Sequence, residues 1–270
     1  MNLLHSKRAI QFRTFASSIL HPYHYYQDKY QNTFLNNNHF SNNYDLSCNV
    51  DRVIYCFWTD NNKMSENRQK CLQTLINHSG VTVKLITPKE LSSYVKKDSP
   101  LHPAYQHLSA VHKADYLRCY FMHNYGGGYC DIKTIYHSWN KAFDKLDSSK
   151  AFFIGYPEIG WYGAAFQNIN NQDLANDLKT YWRLLAGNGA YIFRPHTPFT
   201  EEWFQELNNR LDFYYPSLLE HPATDPWGKD NGYPIPWANI LGNIFHPLCL
   251  KYHNNILFSK RIKPSFENYR

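Results

Sequence analysis

The fold is decided by residues 52–86, which run RVIYCFWTDNNKMSENRQKCLQTLINHSGVTVKLI. Two short runs at 52–58 and 81–86 are rich in β-branched and aromatic residues, which is typical of buried strands. The segment between them suits a helix that Ser65 caps and Gly80 ends. A strand, a helix and a second strand in this space predict a βαβ unit, in which the two strands are parallel.

The rest of the chain extends this unit into a larger α/β domain. The apolar spacing predicts helices over 103–125, 174–185 and 200–211, and strands over 129–133, 152–156 and 190–193. We therefore expect one domain over residues 50–255, preceded by a helical or irregular arm over 1–49 and followed by a tail over 256–270.

Composition and charge exclude several classes of protein. With 270 residues, of which 43% are hydrophobic and 19% charged, the chain can bury one large core and is not disordered as a whole. The net charge of +6 suits anionic ligands or an anionic membrane surface. The longest basic cluster, Lys96-Lys97, is too short for a nucleic-acid footprint, so we expect no nucleic-acid partner.

The absence of targeting signals favours a cytoplasmic protein. The sequence has no apolar run of about 20 residues and no signal-peptide pattern. Its six cysteines form no CxxC pair, so neither a disulfide framework nor a cysteine-based zinc site is expected. Peripheral contact with a membrane through the basic, aromatic arm is compatible with these features.

The residues that carry chemistry lie in two motifs, KADYLR at 113–118 and YGGGYCDIK at 125–133. Asp115 and Arg118 are three residues apart and share a helix face. The glycines allow a tight turn and a close approach to a ligand, and Asp131 follows on the next strand. This arrangement can hold sugar hydroxyls, a ribose or a metal-bound diphosphate. An intrahelical salt bridge and a glycine-rich helix cap account for the same residues.

The two motifs resemble the DxD block of nucleotide-sugar glycosyltransferases with the GT-A fold. The likeness is to the sugar-transferase family that includes capsular-polysaccharide synthesis transferases, yeast initiating mannosyltransferases and the glucosylating clostridial toxins. Its pattern is roughly S/K-x-D-x-x-R, a helical stretch and then G-G-x-Y-x-D-x-D. The match is tight over about 25 residues and loose over about two hundred.

The resemblance implies a Rossmann-like mixed sheet flanked by helices and a transferase activity. The donor would be a nucleoside-diphosphate sugar carrying UDP or GDP, and the acceptor a hydroxyl of a glycan or lipid-linked glycan in surface polysaccharide synthesis. The closest families retain the anomeric configuration, so retention is expected.

The resemblance also assigns residues to the donor site. They are Phe57, Trp58, Thr59, Asp115, Arg118, Gly127 and Gly128. Trp58 would stack on the nucleotide base. Asp115 and Arg118 would hold the sugar hydroxyls and the phosphate side, and Asp131 would contact the ribose or sugar and help to place a metal.

The chain departs from the pattern at the second aspartate of DxD, which is Lys133 here. A protonated lysine cannot coordinate Mn²⁺ or Mg²⁺. Lys133 could itself neutralise the leaving diphosphate, which would make it, with Asp131, a catalytic residue. Otherwise Asp131 would hold the metal with another ligand, for which His246 is the candidate, although His246 also suits a packing role before Pro247. Metal dependence therefore stays open.

Further candidates line the acceptor side. Asn188, in the loop GNGAY at 187–191, resembles the residue that these families place near the anomeric carbon, but an ordinary Asn-Gly turn explains it equally. Glu158 and Trp237 are candidate acceptor contacts, with the core as the alternative for Trp237. Asp225 and Asp230 could act as bases if the enzyme inverts, or belong to a solvated loop.

A protein of a different class fits the same motifs. Loss of a metal ligand at Lys133 would also suit a catalytically silent nucleotide- or glycan-binding protein on this fold. Turnover of a donor separates the two hypotheses.

Overall fold

The described part of the chain forms a six-stranded mixed sheet with helices packed against it. The computed structural model describes residues 3–36, 44, 46, 48–229 and 232–269, with the backbone alone for 3–6. The strands are β1 (Val53–Phe57), β2 (Thr82–Ile86), β3 (Gly127–Cys130), β4 (Phe153–Pro157), β5 (Ala186–Phe193) and β6 (Ile256–Phe258). The α-helices are α1 (Leu3–Leu20), α2 (Glu66–His78), α3 (Pro88–Leu91), α4 (Ala110–Asn124), α5 (Asn140–Asp147), α6 (Gln172–Thr180), α7 (Pro198–Glu220) and α8 (Gly242–Lys251). Asp230 lies outside the described residues.

The strand order is β2-β1-β3-β5-β4-β6, and the pairing is mixed. β1 runs parallel to β2 and β3, which confirms the predicted βαβ unit. β5 runs antiparallel to β3 and β4, while β6 runs parallel to β4. The fold class is therefore the predicted one, a mixed α/β sheet flanked by helices and consistent with a Rossmann-like GT-A fold.

This topology brings several chain segments to one edge of the sheet. The carboxyl ends of β1, β3 and β4 lie there together with the amino end of β5, since Cys130 pairs with Ala190 and Pro157 pairs with Ala186. We call this side the site edge. In open α/β sheets, ligands bind outside the carboxyl ends of the strands.

The central strand β1 is buried on both faces, which explains its continuous apolar run. Ile54 and Cys56 belong to a cluster with Leu75 of α2. Tyr55 and Phe57 point the other way, into a second cluster that includes α4. The sheet therefore separates two apolar layers, and both fix the position of the site edge.

Several predicted boundaries were wrong. The expected helix over 103–125 is interrupted, because Pro103–His107 forms a 3₁₀ turn and the Ser109 side chain accepts from the His112 N–H to start α4. The strand expected over 129–133 is β3, which ends at Cys130, so Asp131 lies just beyond it. The helices α5 and α8 were not predicted.

The terminal segments pack on this framework. The arm forms helix α1, whose Thr14 hydroxyl accepts a 3.2 Å hydrogen bond from the Trp182 indole. The tail supplies the edge strand β6. Among the residues that the structure describes, none of the helices combines the length and apolar character needed to cross a bilayer.

Candidate functional site

Four charged side chains meet at the site edge. Arg118 of α4 lies 3.4 Å from Asp115 (Nη1 to Oδ1) and 3.1 Å from Asp131 (Nη2 to Oδ1). Lys133 Nζ lies 2.5 Å from Asp131 Oδ2. The structure therefore joins residues that the sequence placed on two separate motifs. We call these four side chains the charge cluster.

Asp131 is held from several sides. The Tyr129 hydroxyl donates to Oδ1 over 2.6 Å, and the Asp131 N–H donates to the Gly189 carbonyl over 2.8 Å. Burial tends to raise the pKa of Asp131, but Arg118 and Lys133 outweigh it and lower the pKa. Asp131 is thus a carboxylate at neutral pH.

For Asp115, the effect of burial on the pKa is larger than the effect of the neighbouring cation. Asp115 is 4% exposed, and burial raises its pKa although Arg118 opposes that shift. The two carboxyl groups that flank Arg118 therefore differ in basicity, because only Asp131 has a second cation beside it.

Arg118 links the cluster to the β5 loop. Its guanidinium lies over the Tyr129 ring at 4.8 Å and donates to the Asn188 carbonyl over 3.3 Å. The Arg118 Nε is buried and has no hydrogen-bond partner in the described part of the chain. A buried polar atom of this kind is rare in a folded protein and is a candidate contact for a bound ligand.

His246 lies behind Asn188, and both of its ring nitrogens are used. Nδ1 accepts from the Ala165 N–H over 2.9 Å, and Nε2 donates to the Ala186 carbonyl over 3.1 Å. The Asn188 amide nitrogen is 3.4 Å from His246 Nε2. Burial lowers the pKa of His246 to about 4, so the ring is neutral.

This arrangement does not fit a divalent cation held by Asp131 and His246. Each carboxylate oxygen of Asp131 already accepts from a donor, Oδ1 from Arg118 and Tyr129 and Oδ2 from Lys133. The two nitrogens of His246 bind backbone groups. Mn²⁺ or Mg²⁺ at Asp131 would lie beside the Lys133 ammonium and the Arg118 guanidinium, whose positive charges repel a cation, and His246 could ligate only by giving up a backbone partner.

Lys133 is covered by the tail of the chain. Its Nζ lies 4.2 Å from the ring centre of Phe266 and 4.9 Å from that of Tyr269. The Ser265 N–H donates to the Thr134 carbonyl over 2.8 Å, which fixes the tail at this place. The side chain of Lys133 is only 9% exposed as a result.

The three candidates at the end of β1 differ in accessibility. The Phe57 side chain is core, stacked on Tyr129 with ring centres 5.3 Å apart. Trp58 is half-buried, and its indole donates to the Asn62 carbonyl over 2.9 Å. The Thr59 hydroxyl donates to the Ala110 carbonyl over 2.6 Å. Only Trp58 and Thr59 can thus present side chains to a ligand.

Thr59 borders a cavity of about 140 Å³ at the amino end of α4. Lys113 of the first motif and Asp225 also line it. Asp225 accepts from the Trp227 N–H over 2.6 Å and from the Lys229 N–H over 2.8 Å, so it shapes the loop that closes the cavity.

Gly127 and Gly128 lie at the other end of β3 from Asp131. A Cβ at Gly127 would be 2.9 Å from Val53 Cγ1, and one at Gly128 would be 3.1 Å from the Val53 carbonyl oxygen. Gly127 also has φ +77°. Close approach to β1 and backbone conformation account for these glycines.

The two acceptor candidates lie in different surroundings. Glu158 follows β4, where burial raises its pKa and its carboxylate accepts from the Ile159 N–H over 3.1 Å. Trp237 is 57% exposed, so its side chain is not core. Trp237 stacks on Trp227 at 6.4 Å, and its carbonyl is 3.3 Å from His112 Nε2.

Sequence reasoning missed several neighbours of the charge cluster. Tyr129 could have been found, because the predicted strand over 129–133 puts it on the same face as Asp131. His112 is buried one helical turn before Asp115 and makes a 2.8 Å hydrogen bond with the Tyr233 hydroxyl. Phe266 gave no signal, because its contact with the cluster depends on the path of the tail.

Fold and site together define a mixed α/β protein with a largely buried charge cluster at the carboxyl ends of its parallel strands. The sequence model of a family described as capsular polysaccharide synthesis protein matches residues 5–217. The chain belongs to this family, which indicates a role in polysaccharide biosynthesis. No curated protein matches the chain.

Proposed function

We propose that this protein is a glycosyltransferase that moves a sugar from a nucleoside-diphosphate donor to a hydroxyl of a glycan or lipid-linked glycan, with retention of configuration. The observation that carries the proposal is the charge cluster. Two cations and two carboxylates meet at the edge of the sheet where α/β proteins bind ligands. Membership of a polysaccharide synthesis family supports the same class of substrate.

The cluster suits the charges of such a donor. Arg118 and Lys133 are the cations that would face the diphosphate, and the carboxylates of Asp115 and Asp131 would accept hydrogen bonds from sugar hydroxyls. All four side chains are at most 18% exposed, so charge interactions are stronger there than in water. A fixed cation facing the leaving diphosphate stabilises charge that develops in the transition state.

Asn188 would lie at the reacting sugar. Its carbonyl is bound to Arg118, which places it within the cluster, and its Oδ1 is buried without a partner among the described residues. An oxygen of this kind can accept a hydrogen bond from the sugar or the acceptor. The diphosphate reaches Lys133 only when Phe266 and Tyr269 shift, so we infer that the tail moves as the donor binds.

We further propose that the protein works in the cytoplasm with peripheral contact at a membrane. Helix α1 carries the exposed apolar side chains of Phe12, Ile19 and Leu20, which are 71%, 59% and 74% exposed. Its exposed basic residues, such as Arg8, would favour an anionic surface that presents a lipid-linked acceptor.

The test is a transfer assay with the full chain. UDP- and GDP-sugars are offered with a panel of glycan acceptors, and proton NMR follows the anomeric signal of the first product. We expect the wild type to turn over one of the two nucleotide sugars and to give a product of retained configuration. Asp131→Asn should show no turnover. An inverted product would refute retention and direct attention to Asp225 as a base.

A catalytically silent binding protein is the second candidate. It is favoured by one observation, the ion pair between Lys133 and Asp131, which occupies the carboxylate expected to face a metal. Calorimetric titration with UDP and GDP that gives micromolar binding, with no donor hydrolysis or transfer across the acceptor panel, would support it over the transferase.

A further inference from the structure

A second cluster of ligand-type side chains lies away from the site edge. His123 is in the last turn of α4, His196 follows β5, and Glu201 is in the first turn of α7. The carboxyl end of β5 is opposite the site edge, since Phe193 pairs with Gly127 at the start of β3. The cluster therefore lies at the opposite end of β5 from the charge cluster.

The ligand atoms of these three residues converge. One atom from each lies within 4.8 Å of the others. His196 Nδ1 is 3.5 Å from Glu201 Oε1, and His123 Nδ1 is 3.9 Å from the same oxygen. The two imidazole rings meet edge to face with their centres 4.8 Å apart. Two histidines and a carboxylate are a known ligand set of zinc.

The buried histidine of the cluster lacks a hydrogen bond. His123 is 8% exposed, and its Nδ1 has no hydrogen-bond partner within the residues that the structure describes. The ring cannot turn freely, because it stacks on Phe204 with centres 4.6 Å apart and planes 11° apart. A fixed, unpartnered nitrogen directed at a carboxylate beyond hydrogen-bond distance is what a metal ion would satisfy.

The second histidine is held by an uncommon backbone conformation. His196 has φ +52°, which is costly for a residue with a side chain. Its N–H donates to the His123 carbonyl over 3.2 Å, which ties the two histidines together through the backbone. The side chain is 54% exposed, so the cluster is open to ions from solution.

We propose that His123, His196 and Glu201 form a zinc site with a water molecule as the fourth ligand. Zinc–nitrogen and zinc–oxygen bonds of about 2.1 Å in a tetrahedron place ligand atoms roughly 3.4 Å apart. The separations of 3.5 and 3.9 Å are close to that value. The remaining separations, which are within 4.8 Å, would close by rotation of the partly exposed side chains of His196 and Glu201.

The cluster contains one carboxylate, and a lysine lies in its surroundings. Burial is the largest cause that lowers the pKa of His123, to about 4, and the charge of Lys96 lowers it as well. Glu201 has a lowered pKa, chiefly because of its hydrogen bond with His196, and supplies a negative charge. Bound zinc would join the end of α4 to the start of α7 and stabilise their packing.

The test measures zinc itself on the full chain. The protein is stripped with chelator and titrated with Zn²⁺ against a chromophoric competitor, and Co²⁺ is used to record the visible spectrum of the site. We expect one high-affinity Zn²⁺ per chain, a tetrahedral Co²⁺ spectrum, and a rise in Tm with Zn²⁺. His196→Ala and Glu201→Gln, which change accessible side chains, should each weaken binding at least about tenfold.

His137→Ala is the matched control, because His137 is also exposed but lies outside the cluster. It should bind Zn²⁺ like the wild type. The proposal is overturned if Zn²⁺ binds more weakly than about 100 μM. It is also overturned if His196→Ala and Glu201→Gln bind like the control, or if all three variants lose zinc equally. Transfer activity is not needed for any of these measurements, so the outcome is separate from that of the proposed function.

Discussion

Lys133 and Asp131 form a largely buried ion pair, with Nζ 2.5 Å from Oδ2. In the family pattern that the sequence resembles, the position of Lys133 belongs to an aspartate next to a metal. Here the Lys133 ammonium supplies a positive charge that is part of the chain. The ionised carboxylate of Asp131 is paired with this ammonium and with Arg118. The relationship predicts how nucleotide binding responds to chelators.

We expect Lys133→Met to lose at least about tenfold in affinity for the preferred nucleoside diphosphate, measured by calorimetry in EDTA. The reason is the loss of one charge-assisted contact, which is worth about 1.5–3 kcal/mol, while the apolar stem is preserved. Lys141→Met, at an exposed position of α5, is the control and should bind normally. Unchanged affinity in Lys133→Met would show that the ammonium does not face the diphosphate.

The converse substitution, Lys133→Asp, should create metal dependence. It removes the fixed cation and places a second carboxylate beside Asp131, which gives Mn²⁺ two oxygen ligands. We expect no nucleotide binding in EDTA and recovery with Mn²⁺, whereas the wild type binds in both. If wild-type binding disappears in EDTA, a metal takes part despite the partners that now occupy Asp131 and His246.

Arg118→Lys should reduce kcat/KM by at least about 100-fold with the fold intact. A lysine keeps the charge but cannot reach Asp115, Asp131 and the Asn188 carbonyl together, as the guanidinium does. The measurement is the transfer assay together with circular dichroism. Arg13→Lys, on the exposed side of α1, is the control. Equal activity of the two variants would remove Arg118 from the donor site.

The first βαβ unit was predictable because each of its signals is local. The Ser65 side chain does accept from the Arg68 N–H at the start of α2, as its sequence position suggested. The interruption between the 3₁₀ turn at Pro103–His107 and α4 could not be seen in the sequence, because the helical spacing of apolar residues continues through Leu108. Helix α8 was missed for a tertiary reason: it contains Pro247, and burial of the whole helix outweighs the poor helix propensity.

The site was predictable to the extent that it is encoded in one motif. Asp115, Arg118 and Asp131 were expected together and do meet. Contacts from distant segments could not be predicted. Nothing in the sequence near Phe266 or Tyr269 shows that the tail packs on Lys133. The roles of Gly127 and Gly128 were also ambiguous in the sequence, because a glycine can allow either the close approach of a ligand or the close packing of a neighbouring strand.

The neutral state of His246 predicts a pH dependence of stability. Burial lowers the pKa of His246 to about 4 in the folded protein, below its ordinary value of 6.5. The unfolded chain therefore takes up the proton first, and stability that is present above pH 6.5 is lost as the pH falls towards 4. The loss by pH 4.5 should be about 2 kcal/mol.

Urea unfolding at pH 7 and 4.5 measures this effect. His246→Gln keeps one donor and one acceptor for the Ala186 carbonyl and the Ala165 N–H but cannot be protonated, so the pH difference should shrink by about 2 kcal/mol. His137→Gln, at an exposed position, should leave it unchanged. An undiminished pH difference in His246→Gln would mean that other groups cause the acid loss.

Arg194 follows β5 directly and binds carbonyls of several chain segments, and its loss should destabilise the fold strongly. The residue is 2% exposed, and its guanidinium donates to five carbonyls, including those of Leu146 and Asp147 at the end of α5. Arg194→Met leaves these carbonyls without their donor in a buried place, so we expect a loss of roughly 3–5 kcal/mol in the free energy of unfolding, measured in urea. Arg52→Met removes surface ion pairs with Asp144 and Asp147 and should cost less than about 1 kcal/mol. Because both substitutions delete one guanidinium, equal costs would mean that burial of the Arg194 contacts adds nothing to stability.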